Sequence, residues 1–121
     1  MAAPTATTSA QGAHYNMVVT GTDVDAGNND YTLSYDSHNL DCGFSIVTGT
    51  LTNMTVTVLG YNAGDATKAV AITDDLFGVS GLSSNMGYAW YARIPYQHVI
   101  IRAARSNATN AVYLEIFAPR R

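Results

Sequence analysis

The chain has 121 residues, of which 47% are hydrophobic and 12% charged, and a net charge of −3 at pH 7. That length makes one domain, because two halves would each bury too little for a good core. A charged share about half the usual 25% leaves the surface to Thr, Ser, Asn, Gly and Tyr, and the few arginines, with Lys68 as the one lysine, argue against the basic face that nucleic-acid binding requires.

Residues 1–13, MAAPTATTSAQGA, are small and polar without periodicity. They read as an extended N-terminal arm ahead of a domain at 14–121, an arm whose own chemistry is too weak to order it and which a neighbouring chain would tie down. The arm has neither the basic n-region nor the apolar h-region of a secretory leader. No apolar run anywhere approaches the ~18 residues of a membrane helix, so no membrane partner is expected.

From His14 the pattern has period two, the mark of half-buried strands. Tyr15, Met17 and Val19 share one face, and Tyr31, Leu33 and Tyr35 share another between Asp30 and Asp36. The intervening loop, Thr22 to Asp30, resembles a calcium loop in composition. The glycine and bidentate Glu of an EF-hand are missing from their positions, which leaves a looser site through Asp23, Asp25 and Asp30 against ordinary Asp and Asn turn chemistry. Cys42 is the single cysteine; it excludes an internal disulfide and multi-cysteine zinc patterns, and reads as a small buried apolar residue.

Further along, Phe44 and Ile46 alternate, then Met54, Val56 and Val58, then Val70 and Ile72 in a short strand over 68–73. Asp74 and Asp75 are adjacent carboxylates. A catalytic acid/base pair has to be weighed, but strand neighbours point to opposite faces, and Asp at a turn or helix start accepts backbone N–H groups instead. At most one helical turn is expected between Asp74 and Leu82. His14, His38 and His98 lack metal-ligand spacing, and no nucleophile or phosphate-loop motif is present.

Tyr88, Trp90 and Tyr91 form an aromatic triplet, readable as a sugar-stacking platform, an interface cluster or a core tryptophan between two sheets. Two long strands close the chain. Val99, Ile101 and Ala103 face one way in the first; Val112, Leu114 and Ile116 do so in the second. Ile100, Tyr113 and Phe117 therefore fall on faces that ought to be wet, where apolar side chains mark a contact surface unless a second layer covers them. About seven or eight strands separated by Gly/Asn/Asp/Ser turns predict an all-β, single antiparallel sandwich, jelly-roll-like, with the N-terminal arm extended.

A run of short motifs then becomes recognisable: Val56 to Gly64, the ITDDLFG turn at Ile72 to Gly78, the aromatic stretch Gly87 to Trp90, Pro95 to Ala103 with its VIIRA, and NAVYLEI from Asn110 to Ile116. Together they resemble small β-sandwich virion proteins of tailed bacteriophages, of the capsid decoration or cement type. The resemblance implies a non-enzymatic structural protein made in the host cytoplasm and carried on the capsid exterior. Its expected partner is the major capsid protein, whose neighbouring subunits it would clamp, and it would work as a homo-oligomer, often a trimer. No catalytic, cofactor or metal residue is carried over. The expected contact residues are Ala2, Pro4 and Thr5 of the arm with Ile100, Tyr113 and Phe117. The rival expectation is a carbohydrate-binding sandwich of a head fibre or tail accessory, using Tyr88, Trp90 and Tyr91 to recognise a host surface.

Overall fold

A computed structural model describes residues 5–11, 14–22, 28–34, 43–62, 65–92, 94–105 and 111–119. Among them lie nine strands: β1 Thr5–Gln11, β2 His14–Thr22, β3 Asn28–Ser34, β4 Phe44–Thr48, β5 Met54–Tyr61, β6 Val70–Ala71, β7 Gly87–Trp90, β8 His98–Arg105 and β9 Ala111–Pro119. One helix, α1 (Thr73–Phe77), and a single 3-10 turn, Ala66–Lys68, interrupt them. The strands form two antiparallel sheets, ordered β1-β2-β9-β4-β7 and β3-β8-β5-β6.

The topology follows from one rule of pairing. β2 pairs with β9, β3 with β8, β4 with β7 and β5 with β6. The first four of these strands and the last four thus run as the two sides of one long antiparallel ribbon. The ribbon is rolled so that β4 also meets β9 and β5 also meets β8. Rolling a ribbon in this way gives the two interlocked Greek keys of a jelly roll. The expected all-β sandwich is what the chain forms, with β1 added outside the ribbon on the free side of β2.

The core lies between the sheets and is made by the alternate residues that the sequence marks. Met17 opposes Ile116, which opposes Ile46, and Val19 opposes Leu114, across the five-stranded sheet. Val58 opposes Ile101, which opposes Tyr31, across the other. All of these but the half-buried Tyr31 are buried. Two buried hydroxyls are satisfied rather than stranded, as buried polar groups must be. Thr48 Oγ1 donates to Ser83 O at 2.5 Å and accepts from Met86 N at 3.0 Å. Thr73 Oγ1 accepts from Val58 N at 2.8 Å and donates to Val58 O at 3.2 Å.

Thr73 is also why β6 can be so short. Beyond its two residues, the free edge of β5 is taken up by Ile72 N on Val58 O at 2.8 Å, by the Thr73 hydroxyl, and by Leu82 N on Val56 O at 2.9 Å. The expected strand over 68–73 therefore shrinks to Val70–Ala71, with Val70 half exposed and Ile72 buried beyond the strand's end. Helix α1 is the single turn expected after Asp74, and it carries both Asp74 and Asp75 in its first turn.

Two expectations need revision. Thr5–Gln11 is extended, as expected, but it is paired within its own chain, Thr8 opposite Met17 and Thr5 opposite Thr20. A backbone ladder orders a segment whose side chains have no apolar pattern, so no neighbouring chain is needed there. Ile100 faces outward but is not wet: it is only 3% exposed. β8 has a partner on each side, so Ile100 is flanked in register by Thr32 and Leu59. Along the strand it lies between His98, stacked on Tyr61 at 4.7 Å, and Arg102, paired with Asp30.

Candidate functional site

The outer face of the five-stranded sheet is the first candidate. β9 runs through its middle and alternates Val112, Leu114 and Ile116 inward with Tyr113, Glu115 and Phe117 outward. In register, Phe117 lies between Asn16 and Ser45, and Glu115 between Val18 and Val47. Tyr113 is 37% exposed, Phe117 40% and Val47 44%. The Tyr113 ring lies over Gly49, where an added Cβ would come within 2.8 Å of it. Tyr113 and Phe117 are thus where the sequence places them. Val47 joins them, and its signal was available: it is the outward residue of a strand whose Phe44 and Ile46 suffice for the core. Ala2 and Pro4 lie outside the described residues.

The aromatic triplet is not presented on one exposed face. Tyr88 and Trp90 turn into the sandwich, opposite Ile46 and Phe44 in the β4–β7 register, and both pack against the core. Tyr88 is held there: its ring meets Phe77 at 5.4 Å and its hydroxyl accepts from Ser83 N at 2.8 Å. Tyr91, past the end of β7, is 87% exposed. Trp90 contributes to a different feature, a cleft of about 220 Å³ at the end of the sandwich. Its floor is Ile72 and Ile94, both buried, its half-buried walls are Trp90 and Tyr96, and Pro95 and Asp75 stand exposed at its rim.

One glycine lies against the Tyr96 ring and another against the Trp90 backbone. Gly43 has φ 88°, and a Cβ there would sit 1.9 Å from the Trp90 carbonyl oxygen, so only glycine lets β4 enter beside β7. A Cβ on Gly60 would come within 2.6 Å of the Tyr96 ring, which packs against β5 at that point. Among the described residues the buried Trp90 Nε1–H has no hydrogen-bond partner, and neither has Nδ1 of His98.

The acidic residues are dispersed. Arg102 donates to both oxygens of Asp30, Nε to Oδ1 at 2.8 Å and Nη2 to Oδ2 at 3.0 Å. That hydrogen bonding, more than the Asp30 charge itself, raises the pKa of Arg102. The Asp30 carboxylate, weighed for a looser calcium site, is thus engaged across the strand pair, while Asp23 and Asp25 lie outside the described residues, as does Cys42. Among the described residues no group of three or more His, Cys, Asp and Glu is placed to hold a metal ion. No helix among them is long and apolar enough to cross a membrane. Compared with known proteins, the sequence matches no family model and no curated protein.

Proposed function

We propose that the protein is a non-enzymatic structural component of a phage virion, bound to the outside of the capsid, where it clamps neighbouring major capsid subunits. The observation that carries this reading is the outer face of the five-stranded sheet, with Val47, Tyr113 and Phe117 exposed together on the strands β4 and β9. Large apolar side chains gathered on one solvent-facing sheet mark a contact surface. The weakly charged, tyrosine-rich composition suits the same role, since charged residues are depleted from interface cores and Tyr is enriched. Jelly rolls recur in capsid and lectin domains. That association supports the reading without assigning it, because a fold does not carry one function.

The mechanism is repetition. An interface of ~800 Å² per partner is modest alone, and copies joined as a homo-oligomer over a junction of the shell reinforce one another by raising effective concentration. The direct test is sedimentation of purified protein with shells of the cognate phage that lack it. The wild-type protein pellets with the shells, and a Val47→Asp/Phe117→Asp variant stays in the supernatant while retaining its strand-rich circular dichroism. Wild-type protein that never pellets with shells rejects the capsid reading. A double variant that still pellets moves the contact off this face.

A further inference from the structure

The cleft at the end of the sandwich is a separate feature from the outer sheet face, and its chemistry is selective. Its floor and walls are apolar or aromatic, and a single ionised group, Asp75, stands at the rim. Among the described residues Asp75 has no ion-pair partner. The two cations described in full are engaged elsewhere, Lys68 with Asp65 and Arg102 with Asp30. At about 220 Å³ the space is below the usual size of a drug-like pocket and holds the volume of roughly seven waters, which suits one long side chain.

We propose that this cleft is a socket for a single basic side chain, Arg or Lys, presented by a partner protein. The aliphatic stem would lie on Ile72 and Ile94, the cationic head would meet the aromatic walls of Trp90 and Tyr96, and Asp75 would neutralise it. Each element matches a property of that side chain: long basic residues bury their stems and keep the charge near water, and cations bind aromatic faces. A chain of net charge −3 attracts such a partner from a distance. Both aromatic walls pack against the core, and the Tyr96 ring lies close on Gly60, so they need little ordering on binding. The inference does not depend on the capsid reading; it concerns another part of the molecule and applies to whatever assembly the protein joins.

Trp90 is the only tryptophan in the chain, so its fluorescence reports on the cleft alone. The full chain is titrated with the N-acetyl amides of arginine, lysine and norleucine, and with methyl glucoside. The arginine and lysine probes should shift Trp90 emission saturably, with Kd on the order of millimolar, and norleucine, which has the stem without the charge, should bind more weakly. Asp75→Asn, at an exposed position, should weaken the cationic probes by about threefold, the scale of an exposed ion pair, and added salt should do the same. The proposal is overturned if norleucine binds as tightly as lysine, if Asp75→Asn changes nothing, if methyl glucoside alone shifts the emission, or if no probe does.

Discussion

The outer faces of the two sheets start from similar strands and are finished differently. On the four-stranded sheet the outward residues of β8 are His98, Ile100 and Arg102. Each is answered by a neighbour: Tyr61 stacks on His98, Thr32 and Leu59 flank Ile100, and Asp30 takes both ends of the Arg102 guanidinium. On the five-stranded sheet the outward residues of β9 are Tyr113, Glu115 and Phe117, and they remain exposed. Glu115 has no basic residue opposite it in register, only Val18 and Val47. On one face each of these three residues has a neighbour within the chain. The other leaves Val47, Tyr113, Glu115 and Phe117 exposed, and in the reading proposed above this is the face that meets a partner.

The largest expected effect separates the two faces by stability. Ile100→Asp places an unpaired carboxylate at a site 3% exposed and should cost at least about 3 kcal/mol. Phe117→Asp, at a site 40% exposed, should cost about 1 kcal/mol, the span of strand propensity. Urea denaturation measures both. Equal losses would mean that the faces are finished alike and that the exposed stripe has no special standing.

Much of this architecture can be read from period-two patterning, because a half-buried strand must place apolar residues at alternate positions. Met54, Val56 and Val58, or Val112, Leu114 and Ile116, identify their inner faces without ambiguity. The same logic fails at Ile100, where apolar residues fall on both faces of β8. Periodicity cannot tell a contact surface from a position enclosed by its own sheet. β1 is illegible for the opposite reason: Thr and Ala give no alternation, and its place depends on a backbone ladder with β2. β7 is only four residues long, too short for a pattern, although the alternation of Tyr88 and Trp90 with small residues carries its facing. The cleft could not be read at all, since it joins residues around α1 to the segment after β7 through the roll of the ribbon.

A smaller effect tests how the four-stranded sheet closes its surface. Asp30 and Arg102 are directly opposite in register, with side chains 36% and 28% exposed. Opposed charges on neighbouring strands in that setting contribute up to about 1 kcal/mol, even when bidentate, because water screens them. Asp30→Asn should therefore lower stability by no more than that at low salt, and by less as salt is added. A loss that is large and indifferent to salt would make the pair a buried structural element rather than a surface finish.

The smallest effect asks whether that finish reaches the core. Tyr31 follows Asp30 on the inner side of β3, half-buried among core residues. Burial, and then the Asp30 charge, raise its pKa above the ordinary value of 10.0. The folded chain thus keeps the phenol proton at a pH where the unfolded chain has begun to lose it, so folding is linked to proton retention. The stability that Tyr31 contributes is complete below the unfolded pKa and is lost as pH rises through the folded one. Unfolding free energies measured from about pH 9 to about pH 11 should fall with pH in the wild type. They should fall less steeply in Tyr31→Phe, which has no proton to lose, and by an intermediate amount in Asp30→Asn, where burial still acts but the neighbouring charge does not. An unaltered slope in Tyr31→Phe would place the alkaline sensitivity on another group and leave the Asp30–Arg102 pair electrostatically separate from the core beneath it.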